Sequence, residues 1–67
     1  MYQVKLDNGY RYKFHSLQDA RSFSNQRVLI NKNAATITGP DNIVIERHTP
    51  ENDSILGIKI VVEKLSS

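Results

Sequence analysis

His15 and His48 are the two side chains of this chain that titrate near neutral pH without a large shift, so acid–base or metal chemistry would begin with them. Glu46 and His48 stand at i, i+2, which puts both on one face of a strand and is a spacing that metal ligands use. A zinc site needs three or four ligands, and no third one completes this pair. The chain has no cysteine, hence no thiolate nucleophile or thiolate ligand. None of its serines sits in a Gly-x-Ser-x-Gly elbow, and its three glycines form no phosphate-binding loop. The seven carboxylates are scattered, with no pair forced together by spacing. These observations predict a non-enzymatic protein with no metal and no cofactor.

What remains is charge. Lys5, Arg11 and Lys13 interleave with Tyr2, Tyr10 and Tyr12, and aromatics beside cations are the components of a surface on which single-stranded nucleic acid stacks. Their facing depends on how the first two strands pair. Tyr2–Leu6 and Tyr10–Phe14 both alternate apolar and polar with period two, the pattern of half-buried strands. A two-residue Asn8-Gly9 turn would set Leu6 against Arg11 and leave neither face dry. A three-residue loop, Asp7-Asn8-Gly9, pairs Leu6 with Tyr10, Val4 with Tyr12 and Tyr2 with Phe14. One face is then wholly apolar, and burial selects that register. It needs Gly9 at positive φ in a bulge.

In this register rings and cations point to opposite faces, which argues against stacking. Gln3, Lys5, Asp7, Arg11, Lys13 and His15 share the polar face. Lys5, Arg11, Lys13 and His15 are therefore the candidate binding residues, a small cationic platform for an acidic protein surface or for phosphate. The bland alternative is a solvated strand face, which sheets commonly fill with Lys and Arg. A second polar face, on the next hairpin, is expected to hold Thr36, Thr38, Val44, Glu46 and His48.

Ser16 begins a helix as its N-cap, with Asp19 three residues on in a capping-box-like Ser-x-x-Asp. The helix is predicted over Leu17–Gln26, with Leu17, Ala20 and Phe23 laid on the rings of Tyr10, Tyr12 and Phe14. Arg27–Asn31, with its Val-Leu-Ile triplet, is predicted as a third strand. A second hairpin, Ala35–Thr38 with Ile43–Arg47, closes through Pro40-Asp41-Asn42, pairs Ile37 with Ile45 and Gly39 with Ile43, and puts Asn42 at positive φ. Thr49–Ser54 reads as an exposed loop or, with Pro50 at its first position, a short helical turn. Ile58–Val62 is β-branched and predicts a last strand, and Leu65–Ser67 should fray.

The chain is a single domain over residues 1–67, and domains of this size bury roughly 60% of their unfolded surface. The expected fold is α+β: ββα, then three or four strands, in an antiparallel sheet with one helix packed on one face. Charges interrupt every apolar run, so no membrane span is expected. The cysteine-free composition fits a reducing cytoplasm. The net charge of +2 is weak for a committed nucleic-acid binder.

The segment Phe14-His15-Ser16-Leu17-Gln18-Asp19-Ala20-Arg21, set between a hairpin and further strands, resembles a pattern of very short phage and mobile-element proteins. Some anti-CRISPR proteins are similar in their Ser-Leu-x-x-Ala-basic helix start and compact sheet. The resemblance covers about Tyr10 to Glu46 and carries no functional residue over. It implies an inhibitor or accessory protein that occupies a partner's surface. The expected function is thus a small protein-binding module, with weak nucleic-acid binding through the basic hairpin face as the alternative. A third reading is a homo-oligomeric structural protein, since Ile58–Val62 would pair with another chain if it formed a sheet edge.

Overall fold

The computed structural model describes residues 1–55 and 57–65. Its elements run β1 (Tyr2–Leu6), β2 (Arg11–Phe14), α1 (Leu17–Asn31), β3 (Ala35–Thr38), β4 (Val44–Asp53) and β5 (Gly57–Lys64). The five strands form one antiparallel sheet in the order β2-β1-β3-β4-β5, with α1 packed on one face. This is the α+β layer that the order of elements predicts.

The first hairpin takes the three-residue loop. Tyr2 opposes Phe14 and Val4 opposes Tyr12, and Leu6 N–H donates to Tyr10 O at 2.9 Å. Gly9 has φ 98°, and its N–H donates back to Leu6 O. Tyr10 departs from expectation: it lies at the loop's edge, 64% exposed, and does not join the rings beneath the helix. Tyr12 and Phe14 do, with centroids 4.5 and 5.0 Å from that of Phe23.

Ser16 caps α1 by accepting from Asp19 N–H at 3.1 Å. The helix continues five residues past the predicted end, to Asn31, and absorbs the segment expected as a third strand. Ala20, Ser24 and Val28, spaced by four, are its buried residues and lie on one stripe. Val28 extends that stripe by a turn, while Leu29 and Ile30 are left exposed. Tertiary burial of Val28 thus overrides the strand preference of a Val-Leu-Ile triplet. Lys32 ends the helix at φ 58°, donating to Val28 O at 3.0 Å. At about 22 Å the helix is long enough to run back over the sheet, placing β3 beside β1 rather than beside β2.

The second hairpin starts in the predicted register. Thr38 opposes Val44, Gly39 N–H donates to Ile43 O, and Asn42 has φ 65°. One residue later it breaks. Ile37 opposes Glu46, not Ile45, so β4 carries an extra residue in a β-bulge. Every residue beyond Ile45 therefore turns to the face opposite the one expected.

Thr49–Asp53 is no loop or helical turn but the outer half of β4, paired residue by residue with β5 as far as Asp53 opposite Gly57. Pro50 lies past the start of β3, so its missing N–H interrupts no ladder. The core is Val4, Leu6, Ala20, Val28, Ala35 and Ile37, flanked by Tyr2, Tyr12, Phe14, Leu17, Phe23, Ile45 and Ile60. Among the described residues no helix is long and apolar enough to cross a membrane. The end expected to fray has its last two residues outside those described.

Candidate functional site

The helix covers one face of the sheet and leaves the other open. By strand alternation, the open face receives Arg11 and Lys13 from β2, Gln3 and Lys5 from β1, Thr36 and Thr38 from β3, and Arg47 from β4. The registers line several of these into one row across the strands. Arg11 opposes Lys5, Lys5 opposes Thr36, Thr36 opposes Arg47, and Arg47 opposes Glu63 on β5. Three of the four sequence-predicted site residues, Lys5, Arg11 and Lys13, are therefore brought together and exposed. His15 is exposed as well, but it lies past the last paired residue of β2, in the bend before the helix.

Arg47 is the member of this row that the sequence reading missed. It reaches the open face because the bulge at Ile45 reverses the expected parity. Its Nη1 donates to Thr36 Oγ1 at 2.9 Å, and its Nη2 lies 3.7 Å from Asp7 Oδ1. Lys5, Arg11 and Lys13 have no carboxylate within 4.0 Å among the described residues. The charge is unevenly spread. The β2–β1 side is cationic, whereas Glu51, Lys59 and Glu63 alternate in sign at the β5 side. Like charges directly opposed, as Arg11 and Lys5 are, cost a few tenths of a kcal/mol to about 1 kcal/mol in a sheet.

The same bulge corrects the expected face of Glu46 and His48. They are not exposed beside Thr36 but buried beneath α1, at 3% and 1% exposure. Arg21 Nε donates to Glu46 Oε2 at 2.8 Å, and Arg21 Nη2 bonds the same oxygen. His48 Nε2 lies 2.9 Å from Glu46 Oε1, and its Nδ1 lies 2.8 Å from Asn25 Oδ1. An ionised carboxylate only accepts, so Nε2 carries the proton facing Glu46. Arg21 and Asn25 are one helical turn apart, beside the small residues Ala20 and Ser24 that let the helix approach the sheet. Sequence spacing contained both halves, Arg21 with Asn25 at i, i+4 and Glu46 with His48 at i, i+2, without the register that joins them.

The Arg21 hydrogen bond holds the Glu46 carboxyl below the usual carboxylate range. It outweighs burial, which pushes the other way, and His48 adds a second bond in the same sense. Chemically this network is a polar strut. Its groups are turned toward one another, Glu46 and His48 buried and Arg21 reaching them from solvent, and among the described residues no three His, Asp or Glu side chains are grouped to hold a metal ion. The cationic open face, by contrast, is exposed.

Comparison with known proteins finds no match for this chain among family models, curated proteins or solved structures.

Proposed function

We propose that this protein is a small non-enzymatic binding module that docks an acidic protein surface on the open face of its sheet. The observation that carries this reading is the row Arg11–Lys5–Thr36–Arg47 with Lys13 beside it, cationic and held on paired strands with the helix packed behind them. A cationic patch on a rigid sheet gives orientation and a fast encounter with an acidic partner more than raw affinity. Docking of this kind covers the partner's surface, in keeping with the inhibitor role implied by the resemblance at Phe14–Arg21.

Facing favours a protein partner over nucleic acid. Tyr12 and Phe14 pack against Phe23 beneath the helix, and Tyr2 shares that side. The row therefore offers charge without the aromatic platform that single strands stack upon.

The test compares binding of the intact chain to a polyglutamate peptide, to duplex DNA and to single-stranded RNA across a salt series. The expected result is tighter binding to the peptide, lost in the K5E/R11E/K13E variant with its circular dichroism unchanged. Tighter binding to either nucleic acid, with a steep salt slope, would replace this reading with the nucleic-acid one. Binding to none of them would leave the face as solvating decoration.

A further inference from the structure

We infer that the outer edge of β5 pairs, antiparallel, with the same edge of a second copy of this chain, about a two-fold axis at Val61. The two ends of the sheet differ. At one end β2 is four residues long and carries Arg11 and Lys13, the short charged design that protects an edge. At the other end β5 is eight residues long and contains Ile58, Ile60, Val61 and Val62. Val61 and Val62 are 36% and 48% exposed. Nothing pairs with the outer side of β5 among the described residues.

The backbone determines which registers are available. Leu65 N–H donates to Ile45 O at 2.9 Å, so the odd-numbered residues of β5 turn their N–H and C=O groups toward β4. The even-numbered residues, Ile58, Ile60, Val62 and Lys64, turn theirs outward. A symmetric antiparallel pair must oppose even residues with even ones, which leaves a choice among axes at successive positions.

The side chains make that choice. With the axis at Val61, Ile60 meets Val62 of the other copy twice, Val61 meets itself, and Lys59 meets Glu63 twice. A self-pairing surface must be complementary to its own two-fold image. The run Lys59-Ile60-Val61-Val62-Glu63 meets that condition, with a cation two residues before the centre, an anion two after, and apolar residues between. Moving the axis to Ile60 sets Lys59 against Val61 and Ile58 against Val62. Moving it to Val62 sets Ile60 against Lys64 and Val61 against Glu63. Both moves lose the charge pairing.

Pairing at Val61 makes one ten-stranded sheet. A two-fold axis normal to the sheet keeps both helices on one face and both cationic rows on the other. The dimer then presents two copies of the proposed docking row side by side, while pairing at the β5 edge is independent of that row's function.

The test is sedimentation of the intact chain. The expected mass is twice the 7.6 kDa of one chain. V61K and V61E each put like charges against each other at the axis, and each should sediment at the single-chain mass. Their equimolar mixture should return to the double mass. Val61 faces Thr49 within its own chain, so neither variant opposes a charge inside the fold. K59E and E63K provide a second such pair, each monomeric alone and dimeric when mixed. Circular dichroism identifies any variant that has failed to fold. A wild-type chain that stays monomeric at its highest soluble concentration overturns the inference. So do folded V61K and V61E chains that remain dimeric alone, or variant pairs that fail to recombine.

Discussion

Arg21 and Glu46, twenty-five positions apart, join the helix to the sheet through two hydrogen bonds to one carboxylate oxygen. The arginine side chain keeps 44% of its exposure while that of its partner keeps 5%, so the pair runs from solvent into the interior. The two ends therefore have unequal value. Losing the cation strands a buried carboxylate, whereas losing the charge on the acid leaves a guanidinium that water can still reach.

Arg21→Ala should accordingly destabilise the fold more than Glu46→Gln does, the latter costing about 1 kcal/mol. The double variant should cost less than the sum of the two, because each single change already breaks the same contact. Urea unfolding of the four proteins measures this, and strict additivity would show that the pair is energetically idle.

The same contact makes stability depend on acid. The Glu46 carboxyl titrates lower in the folded chain than in the unfolded one. Between those two values the unfolded state binds more protons, so stability rises with pH there. The contribution is fully present above the unfolded value, near 4.5, and is lost as pH falls through the lower folded value. Urea midpoints taken from neutral pH down to pH about 3 should show wild type losing more stability than Glu46→Gln. Parallel curves would assign the acid sensitivity to other groups.

Gly9 tests the hairpin register on its own. A Cβ built there meets nothing within 4 Å, yet the backbone stands at φ 98°. Gly9→Ala should therefore cost about 1–2 kcal/mol through backbone conformation alone. Thermal unfolding would report it as a lowered midpoint without loss of the folded baseline. An unchanged midpoint would mean that the loop relaxes out of the left-handed region at no cost.

Much of the first half of this molecule was legible as sequence. Period-two alternation on both sides of Asp7-Asn8-Gly9 admits one register with a dry face, and the structure adopts it. The Ser16 cap with Asp19 was equally local. The candidate site was legible to the same extent: parity alone places Lys5, Arg11 and Lys13 together, because β1 and β2 pair without irregularity.

Legibility failed where the decision was made at a distance. Val28-Leu29-Ile30 has strand-forming side chains, but Val28 finds its burial one turn beyond Ser24, against a sheet far away in the chain. Thr49–Asp53 is polar enough for a loop and becomes strand because β5 offers it a partner at every position.

The bulge at Ile45 shows the division most clearly. Alternation in Ile43–His48 is compatible with either facing: one register turns Arg47 toward the helix, the other turns Glu46 and His48 toward it. Arg21 on the helix decides between them, since it would repel Arg47 and instead binds Glu46. Short-range pattern thus determined the first hairpin, the helix start and the three-cation patch. Tertiary structure decided the length of the helix, the reach of β4, and whether Arg47 or Glu46 meets water. The physical reason is that in Ile43–His48, unlike the first hairpin, neither alternate set of side chains is wholly apolar, so the charge of the packed neighbour distinguishes the two faces.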